Sequence, residues 1–99
     1  MLPVSITPQA VAEIKQIIAS KQVPEGYGLR LLVEGGSGCG GARYRLGFDR
    51  PKPEDVVFVW EGLEVMYQKQ QLLFLVGMEL AFEEREHERG FVFRKRSNS

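Results

Sequence analysis

Apolar residues recur with two different periods along this chain, and the changes of period mark its elements. Val11, Ile14, Ile17 and Ile18 form one helical stripe, with Glu13, Lys15 and Gln16 lying off it. Thr7-Pro8 provides the start, a side-chain oxygen able to cap followed by a proline suited to the first helical position, and Pro24 and Gly26 end the element. The period then drops to two. Leu29, Leu31 and Val33 alternate with Arg30 and Glu34, and Tyr44, Leu46 and Phe48 alternate with Arg43, Arg45 and Gly47, which predicts two strands.

After a surface turn over Asp49 to Glu54, with Pro51 and Pro53, Val56 to Trp60 faces Leu63 to Tyr67 across Glu61-Gly62, a predicted hairpin. Gln68 to Leu75 reads as a short helix stopped at Gly77. Met78, Leu80 and Phe82 alternate again, and Phe91 and Phe93 do so in the last strand. Arg94 to Ser99 reads as a frayed tail. Helices are few and strands dominate, so the expected fold class is α+β, in a single domain over residues 1–99 with no repeat and no linker. Tyr44, Phe48, Met66 and Met78 are expected in the core, and Trp60 at the hairpin or an interface.

Composition narrows the function classes. The 99 residues with 43% apolar content suffice for one compact core. Thirteen basic and thirteen acidic side chains balance to zero, leaving no long-range field to collect nucleic acid or anionic lipid. The longest apolar run, Leu72 to Val76, is far shorter than the ~20 residues of a spanning helix, and Met1-Leu2-Pro3-Val4 has no signal-peptide pattern. A cytoplasmic protein is expected, with neither nucleic acid nor membrane as partner.

The candidate chemistry centres on Cys39, the only cysteine, inside Gly35-Gly36-Ser37-Gly38-Cys39-Gly40-Gly41 between two predicted strands. Glycines leave room around a side chain and let the backbone turn, so the sulfur could be reached by a metal or a partner; a buried, inert thiol in a tight connection fits the same composition. One cysteine cannot form an internal disulfide, and a reducing compartment leaves it free. The run also matches the glycine spacing of dinucleotide-binding loops. That mechanism needs a helix N-terminus after the loop, whereas Ala42 to Phe48 has strand alternation. No Gly-Lys-Ser/Thr closes it as a phosphate-binding loop. Nucleophilic catalysis would need a base, and the only histidine, His87, lies in the charged run Glu83 to Arg89, which reads as a solvated loop. An enzyme is not expected. Arg43 and Arg45 either lower the thiol pKa or face solvent.

The stretch Val33-Glu34-Gly35-Gly36-Ser37-Gly38-Cys39-Gly40-Gly41-Ala42-Arg43-Tyr44 resembles the A-type iron–sulfur carrier family, also called HesB-like, whose motif runs from glycines into Cys-Ser/Ala-Gly-x-x-Tyr. The similarity extends to Ile6-Thr7-Pro8-Gln9-Ala10 before the helix, the leucine-rich segment before Gly77, the strand Met78 to Phe82 and Gly90-Phe91-Val92-Phe93. It implies mixed β-sheets with helices, a homodimer or higher homo-oligomer, and a protein that binds iron or an iron–sulfur cluster and passes it to apo-proteins. Carried over residue by residue, it implies Cys39 as the metal ligand in a loop shaped by Gly36, Gly38, Gly40 and Gly41. Family members also carry a Cys-Gly-Cys pair after the Gly-Phe-x-Phe strand; here Arg94-Lys95-Arg96-Ser97-Asn98-Ser99 follows, so this chain is expected to be a divergent member lacking that pair. A cluster normally takes four ligands, usually thiolates. Two Cys39 thiolates meeting in a symmetric dimer would leave His87, Glu86, Glu88 or small external thiols to complete the set. The lead expectation is a non-enzymatic carrier. An interaction module of the same fold that has lost metal binding stands beside it, and a redox-active thiol enzyme comes third.

Overall fold

A computed structural model describes residues 3–35 and 42–96. The chain divides into two compact units, Met1–Val23 with Leu75–Ser99, and Pro24–Phe74.

In the first unit, strand β1 (Val4–Ile6) leads into helix α1 (Pro8–Ser20), and β6 (Met78–Glu84) and β7 (Arg89–Lys95) close a three-stranded sheet in the order β1-β6-β7. β1 runs parallel to β6, pairing Val4 with Met78 and Ile6 with Leu80. Three residues are too few to display an alternation, so the pattern of apolar positions did not mark β1. The helix starts where Thr7-Pro8 places it: the Thr7 hydroxyl accepts from Ala10 N–H at 3.2 Å. Thr7 N–H donates to the Leu80 carbonyl at 2.9 Å, tying the cap to β6. Ala10, Val11 and Ile14 are buried, whereas Ile17 and Ile18 are only half-buried. The helix ends before Pro24: Lys21 N–H closes on the Ile17 carbonyl, and Gln22 turns the chain left-handed at φ 53°.

β6 and β7 pair antiparallel from Met78 with Lys95 to Glu84 with Arg89. The opposed Phe82 and Phe91 rings meet edge to face, 4.9 Å between centroids. The expectation of a frayed tail over Arg94 to Ser99 is corrected for Arg94 to Arg96, while Ser97 to Ser99 lie outside the described residues. Arg94 lies in β7 and bridges Glu79 at 2.8 Å and Glu83 at 3.3 Å, and the Arg96 guanidinium donates to Ser5 Oγ and to the carbonyls of Pro3 and Met78. Val4, Ile6, Val11, Ile14, Leu80 and Phe82 are the larger buried apolar residues of these elements.

The second unit is a four-stranded sheet in the order β3-β2-β5-β4, built from β2 (Gly28–Gly35), β3 (Ala42–Asp49), β4 (Asp55–Trp60) and β5 (Leu63–Gln68). β2 and β3 pair antiparallel along their whole length, from Gly28 with Asp49 to Gly35 with Ala42. The β4–β5 hairpin forms as the sequence predicts, with Glu61 and Gly62 both at positive φ, 50° and 82°. Two left-handed residues in succession make the turn whose twist matches paired strands. β5 then runs parallel to β2, pairing Leu29 with Val65 and Arg30 with Met66. A Cβ on Gly28 would lie 2.8 Å from the Glu64 carbonyl oxygen and 2.7 Å from Met66 Cε, so glycine is what lets β2 start against β5. The chain leaves the sheet through a 3-10 turn, Lys69–Gln71, and one turn of helix, α2 (Leu72–Leu75).

Leu29, Leu31, Val33, Leu63, Val65, Met66 and Tyr67 are the buried apolar residues of this sheet. Met66 is core filler, as expected, whereas Met78 at the start of β6 is only half-buried. Tyr44 and Phe48 differ from expectation: both are half-buried, because β3 is an edge strand. Arg30 differs more. Alternation would send it to solvent with Glu34, yet it is 6% exposed and ion-paired. Among the described residues, no helix is long and apolar enough to cross a membrane.

Candidate functional site

The stem of the cysteine-bearing loop is the outer end of the β2–β3 ladder. Gly35, paired with Ala42, has φ 77°, a conformation that side chains with a Cβ rarely adopt, and the six residues 36–41 connect the two strands. Cys39 and the loop glycines Gly36, Gly38, Gly40 and Gly41 lie outside the described residues. Next along the ladder, Glu34 pairs with Arg43, while the Glu34 carboxylate takes the diagonal Arg45 at 3.2 Å with both side chains well exposed. Such a pair contributes less than about 1 kcal/mol.

One step further in, Val33 opposes Tyr44, and both are held by the segment that follows β5. Val33 N–H donates to Gln71 Oε1 at 3.3 Å, and Gln71 Nε2 donates to the Val33 carbonyl at 2.7 Å. The Tyr44 hydroxyl donates to the Phe74 carbonyl at 2.9 Å. Val33 is only 8% exposed, so its amide groups have little water to fall back on. Leaving a buried donor or acceptor unpaired costs about 1–3 kcal/mol. Gln71 is separated from Val33 by 38 residues, and no local spacing announces the contact.

The other end of the same sheet carries the buried charge. Arg30 Nη1 and Nη2 donate to the two carboxylate oxygens of Asp55 at 2.9 and 2.6 Å, and Nε donates to Asp49 Oδ2 at 3.0 Å. Asp55 also accepts the Lys52 N–H at 2.7 Å. The Arg30 hydrogen bonds, reinforced by Lys52 N–H, hold the Asp55 carboxyl at about 2. Asp49 is lowered as well, by the Arg50 N–H first and by Arg30. The Asp55 contact in turn raises Arg30. Each charged group in this cluster is hydrogen-bonded, the two carboxylates sharing one guanidinium, which marks it as structural support for the β2, β3 and β4 ends.

His87 belongs to the first unit, exposed in the β6–β7 turn beside the exposed Glu86 and Glu88. A shallow depression lined by Glu83, Arg85, His87, Glu88, Arg89 and Phe91 opens there. Among the described residues, no three His, Asp or Glu side chains gather in a metal-holding arrangement. Exposed apolar side chains mark two further places in the second unit, Val57 and Val59 on the edge strand β4 and Leu73 in α2, which is 89% exposed.

Comparison with known proteins bears on this site. The model of the iron-sulphur cluster biosynthesis family matches residues 2–97. The iron-binding protein IscA of Escherichia coli is 37% identical over 93 residues, covering 93% of this chain and 84% of the relative. Among solved structures, Escherichia coli SufA, involved in biosynthesis of iron–sulfur clusters, superposes with a TM-score of 0.73 at 26% identity, over 93% of this chain and 84% of that one. IscA with a [2Fe-2S] cluster superposes with a TM-score of 0.71 at 26% identity, over 93% and 81%. These likenesses agree with the mixed sheets and two helices of the α+β fold. With the family model spanning nearly all of its residues, the chain belongs to the iron-sulphur cluster biosynthesis family.

Proposed function

We propose that this protein is an iron–sulfur assembly carrier that takes up iron or an iron–sulfur cluster through the Cys39 thiolate and hands it to apo-proteins by ligand exchange, without a catalytic step of its own. The observation that carries the reading is the family match over residues 2–97, which contains the Cys39 motif. The iron named for the IscA relative and the [2Fe-2S] cluster of the IscA structure indicate the class of cargo. The match over nearly the whole chain also supports treating residues 1–99 as one functional domain.

Within these 99 residues Cys39 is the only thiol, a single thiolate where a cluster normally takes four ligands. A homodimer or higher oligomer that brings two Cys39 thiolates together supplies two of the four and narrows the deficit. Small external thiols would complete it, with His87 the auxiliary protein ligand. A cargo so held is exchanged easily, which suits a carrier. Loop glycines Gly36, Gly38, Gly40 and Gly41 would let the backbone approach the cargo closely.

A second reading, an interaction module of the same fold without cargo, draws on the exposed Val57 and Val59 on an edge strand. Anaerobic reconstitution with iron, sulfide and a thiol reductant separates the two. Stoichiometric iron and sulfide with visible charge-transfer bands, lost in Cys39→Ala, is the expected result. Iron uptake no higher than that of Cys39→Ala would sink the carrier reading.

A further inference from the structure

On the β3 side, β2 is paired all the way to Gly35, one residue before the loop that carries Cys39. On the β5 side, backbone pairing reaches only Arg30 with Met66, because the chain turns away into Lys69–Gln71 and α2. Val33 would be left with its N–H and carbonyl facing that gap. The Gln71 side chain fills it. One planar amide accepts from Val33 N–H and donates to the Val33 carbonyl, at 3.3 and 2.7 Å, doing for this residue what a neighbouring strand does for the rest. Three residues on, the carbonyl of Phe74 takes the hydroxyl of Tyr44, the residue paired with Val33. Both strands of the stem are therefore fastened to the same short segment, at a pair separated from the loop by two further pairs.

We propose that Gln71 is a positioning residue for Cys39: its side-chain amide completes the β2 ladder where β5 has left it, and so sets the direction in which the cysteine-bearing loop departs. The inference rests on the reading of Cys39 as a cargo ligand, and it adds a residue that local motif spacing does not contain. A strand end free to swing on one side spreads the positions of everything beyond it. Two thiolates that must meet on one cargo tolerate little of that spread.

The test uses the apo-protein. Gln71→Met keeps the side-chain length and removes both hydrogen-bonding groups, and Gln70→Met, on the exposed neighbour, is the control. Amide hydrogen exchange at Val33 and the rate at which iodoacetamide alkylates Cys39 are measured for each. Exchange at Val33 about tenfold faster, with the alkylation rate changed about threefold or more, is expected for Gln71→Met, and wild-type values for Gln70→Met. Gln71→Glu adds a signature that bulk destabilisation does not share. Its carboxylate accepts but cannot donate at pH 7, and on protonation near pH 4 it regains the donor, so Val33 protection relative to wild type falls at the first pH and recovers at the second. If Gln71→Met fails to fold, the Gln71→Glu comparison decides. An opened Val33 with Cys39 alkylated at the wild-type rate would overturn the proposal, as would Val33 protection that ignores the substitution. Because no iron enters the measurement, a wild-type protein that binds none would remove the carrier reading and leave this result standing.

Discussion

Arg30 and Asp55 lock together through two parallel hydrogen bonds, 2.9 and 2.6 Å, with the guanidinium side chain 7% and the carboxylate 1% exposed. A fork matched to a carboxylate in this way satisfies both partners where water is scarce. Removing one partner leaves the other buried and unmatched. Arg30→Met should therefore lower unfolding stability by about 3–5 kcal/mol, measured by urea denaturation, while Arg45→Met at the exposed Glu34 pair should change it by less than about 1 kcal/mol. Equal losses from the two variants would show that burial at Arg30 matters less than argued.

The same pair sets a pH dependence. Asp55 titrates at about 2, below its ordinary 3.8, because Arg30 and the Lys52 N–H stabilise the carboxylate. A carboxyl depressed by folding contributes stability that is fully present above the unfolded value and disappears as pH falls through the folded one. The window therefore runs from 3.8 down to about 2, and the amount lost there is at most about 2 kcal/mol. Asp55→Asn should flatten the acid limb of the stability curve across that window. An Asp55→Asn protein whose stability falls as steeply as wild type would assign the acid sensitivity to other groups.

How much of this was legible in the sequence depended on whether the signal was local. Thr7-Pro8 marks the helix start because cap and first turn lie within four residues, and Glu61-Gly62 marks the hairpin because the turn dictates its own dihedrals. The cysteine-bearing loop was legible for the same reason, being flanked by two alternating strands. Arg30 was not: its alternation with Leu29 and Leu31 points to solvent, and its partners Asp49 and Asp55 lie 19 and 25 residues away. β1 was missed because Val4-Ser5-Ile6 is held by register with β6, across more than seventy residues of sequence. The support of the loop stem by Gln71 belongs to the same class, since a helical glutamine carries no mark of the strand carbonyl it will meet.

Gly28 offers a sterically defined test. The added methyl of Gly28→Ala would sit 2.7 Å from Met66 Cε and 2.8 Å from the Glu64 carbonyl oxygen. A methionine end can move aside, but a strand carbonyl held in a ladder cannot. Gly28→Ala should therefore destabilise by about 1–3 kcal/mol, and adding Met66→Ala should not restore the loss, since that substitution relieves only one contact and empties a fully buried site. Full rescue by the double variant would place the strain on the side chain instead of the backbone.

Thr7→Ala removes the hydroxyl that accepts Ala10 N–H and leaves the backbone bond from Thr7 to Leu80 in place. About 1 kcal/mol of stability should go with it. Thr7→Asp, which keeps an acceptor and adds a negative charge at the helix N-terminus, should recover most of that loss. An aspartate variant no more stable than alanine would mean that the cap hydrogen bond is not what the threonine contributes.

Arg96 turns what reads as a tail into a fastening. Its backbone N–H donates to the Gly77 carbonyl at 2.7 Å, and its guanidinium reaches Ser5 Oγ at 3.1 Å and the carbonyls of Pro3 and Met78 at 3.3 and 3.4 Å. Among the described residues β6 is the one ladder neighbour of β1, so this side chain is a second attachment for a strand of three residues. The guanidinium contacts are long, and together they are worth about 1–2 kcal/mol. Arg96→Ala should accordingly speed amide exchange across Val4 to Ile6 before it changes the exchange of β6 or β7, while Lys95→Ala, at an exposed neighbour, should leave all three strands as they are. Arg96→Lys separates charge from geometry: one ammonium cannot span three acceptors as the planar fork does, so protection of β1 should return only in part. Exchange in β1 that is indifferent to Arg96→Ala would mean that pairing with β6 alone holds the strand.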